Sequence, residues 1–289
     1  MRYDFIRQQM EAFPITVLCA VMKVSRSGFY DYRKRHNCPD VDASHVSLKA
    51  RIRSIFNEHR GKYGSRRIVK QLHDEGQQLG RYKVRRLMRE LGLKAKCPRR
   101  YKVTTDSRHS FPIAANLLNR NFNVSEPNTV WTSDITYVWT LEGWSYLAVV
   151  MDLYSRQIVG WAIDKRMKKQ LTLDALAMAY WRRKPSRGLL HHSDRGSQYA
   201  CNEYQKRLRH YGMLPSMSRK GDCWDNAPIE RFFRSLKSER LASYRFATRH
   251  SAETEILDYI TYYNSLRLHS TLGYKSPMTY EKELFRKVA

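Results

Sequence analysis

Acidic residues are scarce in this chain: 27 Asp and Glu stand against 53 Lys and Arg, for a net charge of +26. A deficit on that scale disfavours basic partners and points to a polyanion, because the summed positive field draws nucleic acid to the surface. Cysteine is also sparse. Cys19, Cys38, Cys97, Cys201 and Cys223 stand apart, with no CxxC spacing and no Cys/His ladder. That argues against a disulfide framework and against a structural zinc site. The ten histidines are dispersed apart from His191 and His192. No apolar run approaches the roughly 20 residues of a membrane span, and the opening MRYDFIRQQM lacks the apolar stretch of a signal peptide. A reducing, cytosolic location is expected. A ribosome-associated or membrane-surface protein ranks well behind one that processes DNA or RNA.

What is present suffices for two domains. The 289 residues are 42% hydrophobic and include six tryptophans, enough to build cores. The charge is uneven: residues 1–115 carry 26 basic and 10 acidic side chains, and the other 174 carry 27 and 17. The front end is therefore expected to position DNA, which phosphate contacts alone can do without reading sequence.

The N-terminal region reads as helical. In PITVLCAVMKVSRSGFYDYRKR an apolar helix ends near Met22, a short break follows, and Ser25 serves as N-cap. The second half presents Arg26, Tyr30, Arg33, Lys34 and Arg35, the outline of a helix-turn-helix or of a plain helical hairpin. After a polar stretch, residues 46–59 place Val46, Ile52, Ile55 and Phe56 near helical spacing. KYGSRRIVKQLHDEG offers Ser65 as a cap with Ile68, Val69 and Leu72 on one side, ending at Gly76. GRYKVRRLMRELGL carries Val84, Leu87, Met88 and Leu91. Arg66, Arg67, Lys70, Lys83, Arg85, Arg86 and Arg89 fall outside that core, as in a second helix-turn-helix unit. The predicted division is 1–40 and 45–96 as two such units, then a basic linker over 97–124 that takes in all but the first residue of KCPRRYKVTTDSRHS and has the breakers Pro98 and Pro112.

From Trp131 the period changes to that of strands. In WTSDITYV, Trp131, Ser133, Ile135 and Tyr137 alternate with Thr132, Asp134, Thr136 and Val138. GWSYLAVVMDL is nearly all apolar, as a strand buried on both faces should be, and RQIVGWAI follows after a tight turn at Tyr154 and Ser155. A helix over LTLDALAMAYW, a strand LLHHSD, a helix over CNEYQKRLRHYG and a short strand LPSMS complete a βββαβαβα order, a mixed sheet flanked by helices.

Three acids stand out: Asp134 and Asp194 at strand-like segments, and Glu230 near the start of the helical APIERFFRSLKSERL. At 100° per residue Glu230, Arg234 and Lys237 share one helix face, while Ile229, Phe232, Phe233 and Leu236 fall on the opposite, core face. Phosphodiester chemistry by two divalent ions needs hard oxygen ligands around one phosphate, which carboxylates from adjacent strands and a helix can supply. The plainer alternative for Glu230 is a surface salt bridge to Arg234. Asp152, Asp222 and Asp225 compete for the third place; Asp152 also reads as a turn residue, and Asp225 and Asn226 as helix caps with Pro228 in the first turn. His192 reads either as a supporting neighbour of Asp194 or as a packed core residue.

WTSDITYV, HSDRGSQY, SRKGDCWDNAPIERFFRSLKSE and YNSLRLHSTLGYKSP resemble, nearly segment for segment, the DDE transposases of bacterial insertion sequences. The closer resemblance is to the OrfB-type catalytic subunit of the copy-out, paste-in group, with a retroviral-integrase-like core. The 35 residues between Asp194 and Glu230, with Lys237 seven beyond, match that family's DDE(K) pattern. The resemblance implies an α/β ribonuclease-H-like catalytic core over 125–240, preceded by an all-α helix-turn-helix region and followed by a C-terminal helical extension over 241–289. It implies metal-ligand roles for Asp134, Asp194 and Glu230, and a DNA-terminus contact for Lys237. Two Mg²⁺ ions are expected, with Mn²⁺ able to substitute. The implied reaction is hydrolysis at the element's ends followed by attack of the freed 3′-hydroxyl on another DNA strand, in a homo-oligomer on DNA within the bacterial nucleoid. With no covalent protein–DNA intermediate, Tyr262 and Tyr263 are expected to pack rather than to act as nucleophiles. In this family an upstream OrfA-type subunit or frameshift fusion often adds a further helix-turn-helix and a leucine zipper. This chain begins with its own methionine and has no sustained apolar heptads, so it is expected to be the catalytic part alone. Two other classes fit less well: a non-catalytic DNA-binding regulator of transposition, which would not need all three acids, and a plain ribonuclease-H-type nuclease, which would not need the basic helical units.

Overall fold

The computed structural model describes residues 2–36, 43–95, 111–219 and 223–288. Cys38, Asp222 and the whole of KCPRRYKVTTDSRHS, with Cys97 and Pro98, fall outside them. The chain divides into two compact units, residues 1–94 and 95–289.

The first unit is all helical: α1 (Arg2–Gln9), α2 (Ile15–Val21), α3 (Arg26–His36), α4 (Ala43–Glu58), α5 (Ser65–Asp74) and α6 (Arg81–Glu90). The first of these has no counterpart in the sequence reading, since MRYDFIRQQM offers a single strongly buried residue, Ile6, against the core of Leu18, Cys19 and Phe29. Ser25 caps α3 as expected, its Oγ accepting the Gly28 N–H at 3.1 Å. A Cβ on Gly28 would lie 2.5 Å from the Tyr3 hydroxyl, so the close approach of α1 to α3 depends on a residue without a side chain.

In α4 to α6, Ile52, Ile55, Ile68, Leu72, Val84 and Leu87 are fully buried. Two readings change. Val46 is 49% exposed and Leu48 takes its place in the core, because the helix phase turns Val46 outward. Ser65 is the first helical residue; the cap is Gly64, extended at φ −87° and ψ 173°, with no side-chain bond. Both α5 and α6 end on left-handed glycines, Gly76 and Gly92. Beyond them the N–H groups of Gln77 and Leu93 return to the carbonyls of Leu72 and Met88, each at 2.8 Å.

The second unit is built on a five-stranded sheet: β1 (Val130–Thr140), β2 (Gly143–Asp152), β3 (Ile158–Asp164), β4 (Leu190–Ser193) and β5 (Leu214–Met217), in the order β3-β2-β1-β4-β5. β1, β2 and β3 are antiparallel, and β4 and β5 run parallel to β1. This is the mixed ribonuclease-H-like sheet that the sequence implied. The helices are α7 (Lys169–Arg183), α8 (Ser197–Ala200, a single turn), α9 (Asn202–His210), α10 (Ala227–Glu239), α11 (Arg249–Ser265) and α12 (Pro277–Val288). Strand alternation sorts them into two layers. Trp131, Ala148, Val150 and Val159 pack on α7 and α9, while Val138, Leu147, Val149 and Met151 pack on α10 and α11. Tyr263 is buried in that second layer and Tyr262 packs against it, so both are core residues. Burial pushes the Tyr263 hydroxyl up to about 12. Among the described residues no helix is long and apolar enough to cross a membrane.

The β3–α7 contact leaves no room for a methyl group. A Cβ on Gly160 would lie 2.7 Å from both Ala179 Cβ and Ala179 N. Gly160→Ala is therefore expected to destabilise the second unit by about 1–3 kcal/mol through overpacking. The midpoint of urea unfolding should fall with an unchanged slope; an unchanged midpoint would contradict the packing described.

Candidate active site

Register brings two carboxylates together. In the parallel pair, Ser133 of β1 stands opposite Ser193 of β4, and these are the last partners. The next residue on each segment is an aspartate, Asp134 and Asp194. Asp134 thus lies within β1, not at its end, at the point where pairing with β4 stops. Asp194 lies one residue past β4. Asp134 Oδ1 accepts the Ile135 N–H at 2.7 Å, and Asp194 Oδ1 accepts the Gly196 N–H at 2.9 Å. Strand alternation puts Asp134 on the same side of β1 as Thr132 and Val138, the side covered by α10.

Glu230 arrives on α10, whose phase is as expected: Ile229, Phe232, Phe233 and Leu236 are buried and Glu230 is half-buried. Asn226, expected as a helix cap, occupies the cap position but makes no cap bond. Its side chain turns to β1 instead: Oδ1 accepts the Thr132 hydroxyl and Nδ2 donates to the Ser133 carbonyl at 3.3 Å. The first turn of the helix is thereby tied to the two residues that precede Asp134. Asp225 is no cap either. Fully buried, it accepts Asn116 Nδ2 at 2.8 Å, Arg120 Nε at 2.8 Å and the Arg219 N–H at 2.9 Å, joining three segments ahead of the helix. At the far end of α10, Glu239 accepts Arg267 Nε at 2.7 Å and the Tyr259 hydroxyl at 2.9 Å. No ion pair links Glu230 to Arg234 among the described residues, so the surface-bridge alternative is not what the fold builds.

The electrostatics follow from burying like charges together. Burial and then the charge of Asp194 raise the Asp134 carboxyl well above its ordinary value; Glu230 adds to this, and the Ile135 amide and Lys237 oppose it. Burial raises Glu230, with Arg234 opposing. Burial lowers Lys237, with Asp134 opposing, and its Nζ sits 4.7 Å from the centre of the Tyr137 ring. Three carboxylates and no nitrogen or sulfur donor form a set suited to a hard divalent cation, which would offset the repulsion that raises Asp134. Among the described residues no three such groups already close on one ion position.

The competing acids have structural work. Asp152 is fully buried and accepts the N–H groups of Asn128 at 2.6 Å and Tyr154 at 2.8 Å, with Arg183 at 3.9 Å. His192 is packed: its Nδ1 meets Ser216 Oγ at 2.9 Å, its Nε2 meets Ser218 Oγ at 3.1 Å, and burial takes it down to about 4. His191, between Ser133 and Tyr204, goes down to about 3 for the same reason. Of the cations expected on DNA, Arg26, Arg66, Arg85, Arg86 and Arg234 are exposed. Arg86 stands 3.6 Å from Glu90, and Arg67 lies over the Tyr63 ring at 5.1 Å.

The raised Asp134 carboxyl has a signed consequence. The folded state holds this proton more tightly than the unfolded chain, so the contribution is fully present below the ordinary carboxylate value of 3.8 and is lost as pH rises through the raised value. In metal-free buffer Asp134→Asn should melt above the wild type at pH 7, with the difference gone below pH ~3.8. A variant that melts lower at pH 7 would contradict the charge repulsion.

Comparison with known proteins identifies the family. Residues 45–101 match an HTH-like domain, and residues 124–223 and 211–277 match two models of an integrase core domain. An uncharacterised 31 kDa protein of insertion element IS600 from Shigella sonnei is 44% identical over 94% of this chain and 100% of its own length. Transposase InsF for insertion sequence IS3A from Escherichia coli K12 is 38% identical over 98% of this chain and 99% of its own. Among solved structures the chain is similar to the simian T-cell lymphotropic virus intasome in complex with PP2A regulatory subunit B56 gamma, at TM-score 0.48 and 18% identity, over 61% of this chain and 60% of that one. It is also similar to the HTLV-2 integrase catalytic core domain in complex with magnesium, at TM-score 0.44 and 19% identity, over 54% of this chain and 97% of that one. Identity of this extent over nearly full length places it plainly: the chain belongs to the insertion-sequence transposases that carry an integrase core domain.

Proposed function

We propose that Asp134, Asp194 and Glu230 are the catalytic and metal-binding residues of a DNA strand transferase acting at the ends of an insertion sequence. One observation carries this reading: Asp134 and Asp194 follow the last parallel pair of β1 and β4, and Asn226 ties the Glu230 helix to the same strand. The site would hold divalent metal, as two Mg²⁺ ions with Mn²⁺ as a substitute, and such ions supply an activated oxygen nucleophile and stabilise the departing one. Asp134 gives up its tightly held proton when it takes up this role, and Lys237, beside Asp134, holds a phosphate of the DNA terminus. In the first step water attacks the phosphorus at the element's end and the 3′-oxygen departs as a hydroxyl. In the second, that hydroxyl attacks a phosphorus of another strand, and a new phosphodiester forms as the old one breaks.

The division of labour that accompanies this reading has a catalytic core at 125–240, a C-terminal helical extension at 241–289, a basic linker at 97–124, and DNA-binding units at 1–40 and 45–96. Arg26, Arg66, Arg67, Arg85, Arg86 and Arg234 would contact phosphates. Pairing two DNA ends calls for at least two protomers, and an upstream OrfA-type subunit or fusion would add end recognition. The protein would act at the bacterial nucleoid, where its DNA lies.

Asp134→Asn, Asp194→Asn and Glu230→Gln should each lower Mg²⁺-dependent strand joining of element-end DNA by at least about a hundredfold, more than supporting residues of metal sites usually cost. Strand joining that survives Asp134→Asn would sink the assignment. Independently of turnover, millimolar Mg²⁺ or Mn²⁺ should raise the melting temperature of the wild type and leave that of Asp134→Asn nearly unmoved, because only a folded-state site couples to stability.

A further inference from the structure

The aromatic residues of the β1–β2 hairpin are left out of the chemistry described so far. Between Ser133 and Thr140, where Phe246 forms an isolated parallel bridge, β1 pairs with no strand on its β4 side among the described residues. On that open stretch Tyr137 and Trp139 alternate with Asp134, so they lie on the other side of the strand. Lys237 connects the two sides: it feels the Asp134 charge and sits over the Tyr137 ring. From Tyr137 the row continues through Trp144, 5.0 Å away, to Trp139, 4.8 Å further, both as edge-to-face contacts. These are not core residues. Trp139 is 56% exposed, Trp144 43%, and Leu141 between them 78%.

The row is held rigidly. Leu141 N–H donates to the Phe246 carbonyl at 3.0 Å, and the Arg249 guanidinium donates to the Trp144 carbonyl at 3.1 Å and to the Glu142 carbonyl. A rigid exposed aromatic row that begins at a cation beside a carboxylate has the make-up of a single-strand nucleic-acid track, where bases stack on rings and cations follow phosphates. A second copy of this chain would bring the same positive charge to Lys237 and Arg249, whereas a DNA strand complements it.

Resting on the strand-transferase reading above, we propose that Trp139 and Trp144 form a stacking platform for unpaired bases of the DNA end. One strand would cross the open edge of β1, with a phosphate at Lys237 and its bases on the tryptophans. The protein would then stabilise a splayed terminus and present its backbone to the carboxylates.

The test uses the full chain and two duplexes of one sequence, one fully paired and one with several non-complementary bases at an end, in EDTA so that no turnover occurs. The wild type should bind the splayed duplex about tenfold more tightly, the scale of one base–aromatic stack. Trp139→Ala and Trp144→Ala should lose that preference and keep their affinity for the paired duplex; Trp139→Phe should retain it. Equal binding of both duplexes by the wild type would overturn the proposal, as would alanine variants that weaken both equally. Trp139→Ala protein that sediments at a smaller oligomeric state than the wild type, with the preference lost in proportion, would assign the row to subunit contact instead. Because binding is read without metal, failure here leaves the carboxylate assignment standing, and loss of strand joining in Asp134→Asn bears only on that assignment.

Discussion

Burying like charges is the constraint on which the second unit depends. Two aspartates that follow the last paired residues of parallel strands cannot move apart without breaking the register of β1 and β4, and that register is fixed by the alternation of core residues on both faces. The sheet thus enforces a repulsion between two half-buried carboxylates. The surrounding bonds fix the helix that carries Glu230: Asn226 anchors one end of α10 to β1, and Glu239 clamps the other to Arg267 and Tyr259. The repulsion at Asp134 is thus held in place by bonds at both ends of α10.

The same logic explains why acids matter so much in a basic chain. A field of +26 attracts any phosphate backbone without distinguishing one position from another. Only where carboxylates interrupt that field does a bound backbone meet a place that requires a cation of its own. On the proposed assignment, the excess positive charge and the three acids would serve one substrate at two ranges, the first by long-range attraction and the second by contact geometry.

Much of this was legible in the sequence because periodicity reports faces. Alternation in WTSDITYV assigned Asp134 to the side of Thr132 and Val138, and helix phase turned Glu230 away from Phe232 and Phe233. Periodicity does not report partners. Asn226 has a capping residue's composition and position, yet its bond is to Thr132, 94 residues away, and no local pattern encodes that. Asp225 likewise reads as a cap until Arg120 and Asn116 are brought to it. The cap was misplaced by one position, Ser65 for Gly64, and the core residue by two, Val46 for Leu48, which is the usual resolution of cap and phase arguments. α1 was missed because one deeply buried residue in eight gives no detectable stripe. Trp139 and Trp144 were not singled out at all, since aromatics in a strand read as core until their exposure is seen.

The clamp of Arg267 on Glu239 has a bearing on how the protein is made. Translation delivers the helical first unit, then the strands with both aspartates, then the helix with the glutamate, while the arginine that locks that helix comes later still. A chain that ends short of it would keep the helical first unit, which we propose holds DNA, but would leave the helix that carries Glu230 unclamped. On the proposed reading, such a fragment would separate affinity for DNA from a completed site.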